Sequence, residues 1–139
     1  MGSTSDVSFR MRSVRRENTT PEIKVRKALH RLGYRFRLHD KSLPGSPDIV
    51  LKKFKTVIFV HGCFWHRHPM CKYTTFPKTR IEFWSKKFDA NIIRDNLNTG
   101  KLTNMGWNVL IIWECQTKDP SFLDQLLLTL RPIEKTSNG

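Results

Sequence analysis

Apolar residues recur with helical spacing in some stretches of this chain and alternate with polar residues in others. Helical spacing occupies three stretches, at 19–33, at about 79–97 with an optional continuation to 105, and at about 121–130. Strand patterns occupy four stretches, at 34–38, 48–51, 54–60 and 107–114. The first three strands suit an antiparallel meander, and the fourth follows a helical crossover. The pattern predicts one α/β domain with a mixed central sheet flanked by helices.

Local signals place the boundaries of these elements. Thr19-x-x-Glu22 is a capping box, which gives Glu22 a structural role, and Gly33 suits the end of the first helix. Residues 52–53 suit a tight hairpin, and Gly106 closes the long helix. Three regions follow from these signals: an N-terminal arm at 1–18, a single domain at 19–131 and a flexible tail at 132–139.

The charge of the chain points to an anionic partner. Among 139 residues, Lys and Arg number 25 and Asp and Glu number 12, so the formal net charge is +13. This excess favours nucleic acid over an anionic membrane surface as the partner. The arginines of the arm at 1–18 suit either a frayed segment or a basic arm that orders on a phosphate backbone.

Targeting signals and cysteine usage narrow the setting. No apolar run reaches the roughly 18 residues of a transmembrane helix, and the chain starts without the apolar core of a signal peptide. The three cysteines are an odd number, which argues against a disulfide framework and for a reducing, cytoplasmic setting.

The stretch 57–71 carries most of the candidate chemistry, because a strand-like run opens directly into three histidines and two cysteines. It supplies three members of a predicted Cys3His zinc site, whose ligands are Cys63, His68, Cys71 and Cys115. Such a site would tie the loop after the third strand to the end of the fourth. His66 is an alternative to His68, and buried thiols with unrelated histidines are the alternative to a metal.

A carboxylate and two histidines are candidates for hydrolytic chemistry. Asp48 follows Pro47 at a strand edge, where nucleases hold Mg²⁺, although Pro-Asp is also a common turn. The end of the third strand, where an acidic residue and a lysine would be expected, has Val60 and His61, so the second oxygen ligand would be a backbone carbonyl. His61 and His66 suit general base catalysis, phosphate contact or a structural role.

Two further groups have both a functional and a structural interpretation. Asp95 on the long helix would orient a catalytic histidine, or it lies on a solvated helix face. Phe64, Trp65 and Trp84, with Met11 on the arm, would stack on or wedge between bases, or the tryptophans pack under the loop.

Together these residues resemble the very short patch repair endonucleases, bacterial enzymes that nick DNA at a T:G mismatch. The likeness covers about residues 10–115. It rests on the motifs Met11-Arg12, Thr20-Pro21-Glu22, Ser42-Leu43-Pro44-Gly45-Ser46-Pro47-Asp48, Val57-Ile58-Phe59-Val60-His61-Gly62-Cys63-Phe64-Trp65-His66, Thr79-Arg80-Ile81-Glu82-Phe83-Trp84, Arg94-Asp95 and Gly106-Trp107-Asn108-Val109-Leu110-Ile111-Ile112-Trp113-Glu114-Cys115.

The resemblance implies a restriction-endonuclease-like fold with two metals. A catalytic Mg²⁺ would bind Asp48 and the carbonyl oxygen of Val60, a position where the family has threonine. A structural Zn²⁺ would bind the Cys3His set. In the family pattern one residue separates the zinc histidine from the next cysteine, whereas Pro69 and Met70 intervene here. This departure affects the choice between His66 and His68 as the zinc ligand, and it leaves the prediction of a zinc site unchanged.

The resemblance also implies catalytic roles. His61 and His66 would lie at the scissile phosphate, with His66 as the base and Asp95 as its orienter. Glu22 would contact metal-bound water. Aromatic residues would wedge beside the mismatch from the major groove, and an arm residue would enter from the minor groove. The residues assigned to DNA contact are Met11, Arg12, Arg15, Phe64, Trp65 and Trp84.

The function implied is magnesium-dependent nicking of one strand 5′ of the mismatched thymine, which initiates repair of deaminated 5-methylcytosine. The expected partners are double-stranded DNA with a T:G mismatch and mismatch-repair proteins, but no membrane. The protein would be a nucleoid-associated bacterial monomer. Two alternatives are a restriction-type nuclease that cuts matched duplex and a zinc-stabilised DNA-binding module without catalysis.

Overall fold

The computed structural model describes residues 19–138, and side chains are described for residues 19–130. In chain order the elements are α1 (Thr20–Arg31), β1 (Arg37–Leu38), β2 (Ile49–Leu51), a 3-10 turn (Lys52–Phe54), β3 (Thr56–His61), α2 (Ile81–Asn104), β4 (Asn108–Trp113), α3 (Glu114–Thr117) and α4 (Phe122–Asn138).

Helix α1 begins at the predicted N-cap, Thr19, whereas the Glu22 carboxylate of the predicted capping box pairs with Arg26 and His39. The hydroxyl of Thr19 accepts a hydrogen bond of 3.3 Å from the backbone N–H of Glu22. Gly33 follows the helix with φ of 88°, a conformation that a residue without Cβ adopts readily. The buried face contains Val25, Ala28 and Leu29, and it packs against one face of the sheet.

The four strands form one sheet in the order β1-β2-β3-β4. The β1–β2 and β2–β3 pairs are antiparallel, and the β3–β4 pair is parallel. Helix α2 provides the crossover between β3 and β4. The predicted meander, crossover and mixed α/β architecture are therefore confirmed.

Strand β2 is buried on both faces because successive side chains point to opposite sides of the sheet. Ile49 and Leu51 join the larger apolar cluster with α1 and α4, while Val50 joins a second cluster with Val57 and Leu102. No helix in the described chain combines the length and the apolar character needed to cross a bilayer.

Strand β1 is shorter than the predicted strand at 34–38. Tyr34 lies in the core with its ring centroid 5.5 Å from that of Phe54. Its side chain therefore packs in the interior, and pairing with β2 begins only at Arg37. The third strand also begins later than predicted, at Thr56, because the hairpin contains a 3-10 turn and Lys55 adopts a left-handed φ of 52°.

Three boundaries near the C-terminus also differ from the prediction. Helix α2 begins at Ile81, since Arg80 has a left-handed conformation. Strand β4 ends at Trp113, and the short α3 that follows it was not predicted. Helix α4 continues through Pro132 to Asn138, beyond the predicted end near residue 130. A proline removes one N–H donor, and the helix continues past it.

Candidate active site and metal centre

A cleft of about 970 Å³ opens where β3 ends, between the loop before β2 and helix α2. The end of β3 contributes His61, and the following loop contributes His66. The loop before β2 contributes Asp48, and α2 contributes Asp95. These four sequence-predicted residues come from three different parts of the chain, and the fold brings them to one cavity.

The Asp48 side chain is fixed at the start of β2. Its Oδ2 atom accepts a hydrogen bond of 2.7 Å from the backbone N–H of Val60. Burial raises the pKa of Asp48 to about 7, and the negative charge of Glu22 contributes to the rise. A divalent cation beside this carboxylate would offset the cost of its burial, which fits the side chain as a metal ligand.

His66 and Asp95 form a carboxylate–imidazole pair. The Nδ1 atom of His66 lies 2.6 Å from Oδ2 of Asp95, with both side chains partly exposed. When Nδ1 carries the proton and donates it to Asp95, the Nε2 atom of His66 is left as an acceptor. This arrangement is that of a general base with an orienting carboxylate.

His61 lies directly against this pair. Its ring stacks on that of His66, with centroids 3.8 Å apart and planes inclined by 6°. Burial, together with the charge of His66, lowers the pKa of His61 to about 4, and the charge of Asp95 opposes this shift. Its buried Nδ1 atom has no hydrogen-bond partner within residues 19–130. His61 is therefore a neutral imidazole at neutral pH.

Glu22 is 1% exposed and does not line the cleft. Its carboxylate forms an ion pair with Arg26, and its Oε2 lies 2.7 Å from Nε2 of His39. His39 does line the cleft, and ligand atoms of Glu22, His39 and Asp48 all lie within 4.8 Å of one another. The carboxylate predicted to serve the site thus lies behind the cleft wall, in contact with His39 and close to Asp48.

The sequence interpretation missed His39, which directly follows the strand predicted at 34–38. A signal was present in the predicted meander. The β1–β2 register pairs Leu38 with Ile49, which places His39 opposite Asp48, and the His39 N–H donates to the Asp48 carbonyl at 3.1 Å. Extending the hairpin by one residue pair would have brought the two together.

A second cluster, called here the thiol cluster, lies at the other side of the loop after β3. Its members are Cys63, His68, Cys71 and Cys115, and one ligand atom of each lies within 4.8 Å of the others. Tetrahedral zinc with bonds of about 2.3 Å to sulfur would bring the ligand atoms to about 3.8 Å from one another. The donor set and its spacing therefore fit zinc.

The thiol cluster contains His68, whereas His66 pairs with Asp95. The Sγ atom of Cys115 lies 3.4 Å from Nδ1 of His68, and the Cys115 N–H donates to Sγ of Cys63 at 3.4 Å. Burial raises the pKa of Cys63 to about 12, and neighbouring thiols contribute. Since metal ligation requires the thiolate, the metal would have to offset this cost.

The three predicted wedge residues of the described chain have different environments. Phe64 and Trp65 line the cleft, whereas Trp84 is 7% exposed and stacks on Phe88 with centroids 5.7 Å apart. The side-chain amide of Asn91 donates to the Trp65 carbonyl at 3.2 Å. Trp84 is therefore a buried residue that packs against Phe64 and Trp65. Met11, Arg12 and Arg15 lie outside the described residues.

Cations line the same cleft as the carboxylates. Lys41, Lys87 and Arg94 all contribute to its walls. The guanidinium of Arg94 donates to the side-chain oxygen of Asn91 at 2.5 Å, which fixes both groups on α2. A cleft with cations, exposed aromatic faces, a buried carboxylate and a histidine pair suits a polyanion with planar bases.

The chain is similar in sequence to known DNA endonucleases. A family model described as DNA mismatch endonuclease Vsr matches residues 3–72. The type II nicking enzyme V.XorIIP of Xanthomonas oryzae pv. oryzae is 47% identical over 119 residues, 86% of this chain and 87% of the relative. The type II nicking enzyme V.NmeAIP of Neisseria meningitidis is 42% identical over 125 residues, 90% and 89% of the two chains. The DNA mismatch endonuclease Vsr of Escherichia coli is 41% identical over 124 residues, 89% and 79% of the two chains.

Proposed function

This chain belongs to the Vsr family of DNA mismatch endonucleases and is a strand-nicking DNA endonuclease; we propose that it nicks 5′ of the thymine in a T:G mismatch. The proposal includes Mg²⁺ as the catalytic cation, Zn²⁺ in the thiol cluster and a restriction-endonuclease-like fold. The biological result would be initiation of repair at deaminated 5-methylcytosine. The observation that carries the proposal is the convergence of Asp48, the His66–Asp95 pair and the Trp65 ring on one cleft.

Asp48 and the carbonyl of Val60 are the proposed Mg²⁺ ligands. The β2–β3 register pairs Ile49 with Ile58, so Pro47 faces Val60 across the hairpin. Pro47 has no N–H to give to that carbonyl. Because the N–H and C=O of one strand residue point the same way, the Val60 carbonyl is expected to face Asp48, which accepts the Val60 N–H. When bound, Mg²⁺ would stabilise charge on the phosphate and on the leaving 3′-oxygen.

His66 is the proposed general base. Its Nε2 atom would take a proton from the attacking water while Asp95 holds Nδ1. The water oxygen would bond to phosphorus as the bond to the 3′-oxygen breaks, and the 3′-oxygen would take up a proton from solvent, which leaves a 3′-hydroxyl and a 5′-phosphate. His61, neutral because of its burial, would contact the scissile phosphate without adding a positive charge beside His66.

Asp95→Asn is expected to lower the nicking rate about 10- to 100-fold, because an amide no longer favours the Nδ1–H tautomer of His66. The measurement is single-turnover nicking at saturating T:G duplex. Asp89→Asn, an exposed change on the same helix, should keep the wild-type rate. Equal rates for Asp95→Asn and the wild type would show that Asp95 does not orient the base.

Glu22 is proposed to act on the cleft through His39, since Glu22 itself is buried and paired. His39→Ala should lower the nicking rate about 10- to 100-fold, whereas His39→Gln, which keeps a hydrogen-bonding side chain, should retain more of it. His30→Ala on the exposed face of α1 is the matched control. A wild-type rate for His39→Ala would exclude the relay.

The rings of Phe64 and Trp65, which line the cleft, are proposed to provide the preference for mismatched DNA. Wedging a ring beside a base pair requires unstacking, which costs least where pairing is already weak. Trp65→Ala should weaken binding to a T:G duplex about 10-fold or more, in line with about 1–3 kcal/mol for a base–aromatic stack. Titration of labelled duplex measures this, and Tyr73→Ala, an exposed aromatic outside the cleft, should bind as the wild type does. Unchanged binding by Trp65→Ala would remove this ring from recognition.

The experiment that tests the function is a duplex panel. Wild-type protein is incubated with matched DNA and with every single mismatch in several flanking contexts, with Mg²⁺ or with a chelator added to remove it. Nicking confined to T:G duplexes with Mg²⁺, 5′ of the thymine, is the expected result. Cleavage of both strands of matched DNA would favour a restriction-type nuclease. Tight binding without product on any duplex would favour a binding module.

A further inference from the structure

The thiol cluster and the histidine pair, His61 and His66, are joined by a continuous series of ring contacts. The ring of His68 stacks on that of Trp113, with centroids 4.2 Å apart and planes inclined by 12°. The rings of Trp113 and His61 make a T-shaped contact, with centroids 5.2 Å apart and planes inclined by 74°. The His61 ring then stacks on that of His66, with centroids 3.8 Å apart. Trp113 is the one residue of this series that belongs to neither group of candidate ligands and bases.

Backbone pairing fixes the position of Trp113. It is the last residue of β4 and pairs in parallel register with His61, the last residue of β3. Two residues later the chain reaches Cys115, whose N–H donates to Sγ of Cys63. The thiol cluster is therefore linked to the residue beside His61 through both the backbone and the His68 ring.

His61 depends on such packing for its orientation. Its Nδ1 atom has no hydrogen-bond partner within residues 19–130, so no hydrogen bond from that atom holds the ring. The rings of Phe59, Trp113 and His66 surround it, at 5.8, 5.2 and 3.8 Å between centroids. Removing one of these neighbouring rings would leave space into which the His61 ring could turn, because interiors are otherwise closely packed.

We propose that Trp113 is a positioning residue that transmits the arrangement of the metal-loaded thiol cluster to His61 and, through its stack, to His66. This inference rests on the proposed roles of Zn²⁺ and of the two histidines. The thiol cluster then does more than stabilise the fold, because its occupied geometry also sets the orientation of the catalytic imidazoles. DNA binding, which uses other walls of the cleft, does not depend on Trp113.

The test compares Trp113→Leu and Trp113→Phe with Trp107→Leu, a matched change at the other end of the β4 region. Trp107 packs in the second apolar cluster beneath the Lys55 ammonium, away from the ring series. For each holoprotein the single-turnover nicking rate, the Kd for T:G duplex, the zinc content and the imidazole NMR signals of His61 and His66 are measured.

Trp113→Leu should lower the nicking rate about 10- to 100-fold with unchanged duplex Kd and full zinc content. The NMR signals of His61 and His66 in Trp113→Leu should shift from those of the wild type. Trp113→Phe should recover most of the nicking rate. Trp107→Leu should match the wild type in both nicking rate and histidine signals. An unchanged rate in Trp113→Leu, or a loss that Trp113→Phe does not recover, would overturn the proposal. A loss that follows zinc content would reduce Trp113 to a structural residue and also overturn it.

A second measurement needs no variant. Replacing Zn²⁺ with the larger Cd²⁺ in the wild type should shift the His61 signals, and failure to do so would overturn the coupling even if Trp113→Leu does not fold. This readout is independent of turnover. If the wild type nicks no duplex, the proposed function fails, whereas the NMR response to Cd²⁺ still decides whether the thiol cluster and the histidines are connected.

Discussion

Asp48→Asn should reduce nicking of a T:G duplex about 10³-fold or more while the protein stays folded. The substitution removes the only side-chain carboxylate among the proposed Mg²⁺ ligands, and with it the charge stabilisation that the cation gives to the transition state. The asparagine oxygen can still accept the Val60 N–H, so the hairpin contact is kept. Single-turnover nicking over a range of Mg²⁺ concentrations measures the loss.

Stability measurements separate this loss from misfolding. The folded carboxyl has its pKa raised to about 7, so ionising it costs folding free energy as pH rises above its unfolded pKa. At neutral pH and without Mg²⁺, Asp48→Asn should therefore unfold at a temperature no lower than the wild type. Mg²⁺ should raise the unfolding temperature of the wild type but not that of the variant. Nicking by Asp48→Asn at the rate of Asp89→Asn would refute the assignment of the metal ligand.

The sequence predicted the sheet well because its signals are local or periodic. The capping box before α1, the hairpin between β2 and β3, and the apolar β4 after a long helix left few topologies open. Prediction failed where tertiary packing decides. Tyr34 belongs to the core rather than to a strand.

Spacing alone named the candidate residues but not their contacts, and the pairing of His66 with Asp95 was predicted only from the family resemblance. Spacing alone favoured His68 as the zinc ligand and left His66 as an alternative. The loop after β3 directs His68 to Cys115 and His66 to Asp95, a partition that depends on a contact across 47 residues and another across 29. Such long-range contacts arise from the parallel β3–β4 register and from the path of α2, neither of which a local pattern contains.

The same partition explains how one short loop serves two sites. Residues on either side of Arg67 face opposite ways, and Arg67 itself has a left-handed φ of 55°. Its guanidinium donates to the carbonyls of Phe64 and Thr75 and lies 4.1 Å from the Phe88 ring centroid. The loop is therefore anchored at its centre, so that His66 can serve the cleft while His68 serves the thiol cluster.

Cys115→Ala should remove the metal and lower the free energy of unfolding by at least about 3 kcal/mol, or about 10 °C in Tm for a domain of this size. Binding energy at a structural zinc site is folding energy, and Cys115 is the proposed ligand that would tie β4 to the loop after β3. Zinc content and thermal unfolding, each with and without a strong chelator, provide the measurement. The chelator should lower the Tm of the wild type toward that of Cys115→Ala and leave the variant unchanged.

The two histidines provide the matched pair for this prediction. His68→Ala should lose zinc and stability as Cys115→Ala does, because the Nδ1 atom of His68 lies 3.4 Å from Sγ of Cys115. His66→Ala should keep full zinc content and a Tm close to that of the wild type but lose nicking, since His66 pairs with Asp95 across the loop. Zinc loss in His66→Ala with retention in His68→Ala would reverse the ligand assignment. A Cys115→Ala protein with full zinc content and unchanged Tm would show that the thiol cluster does not hold the fold together.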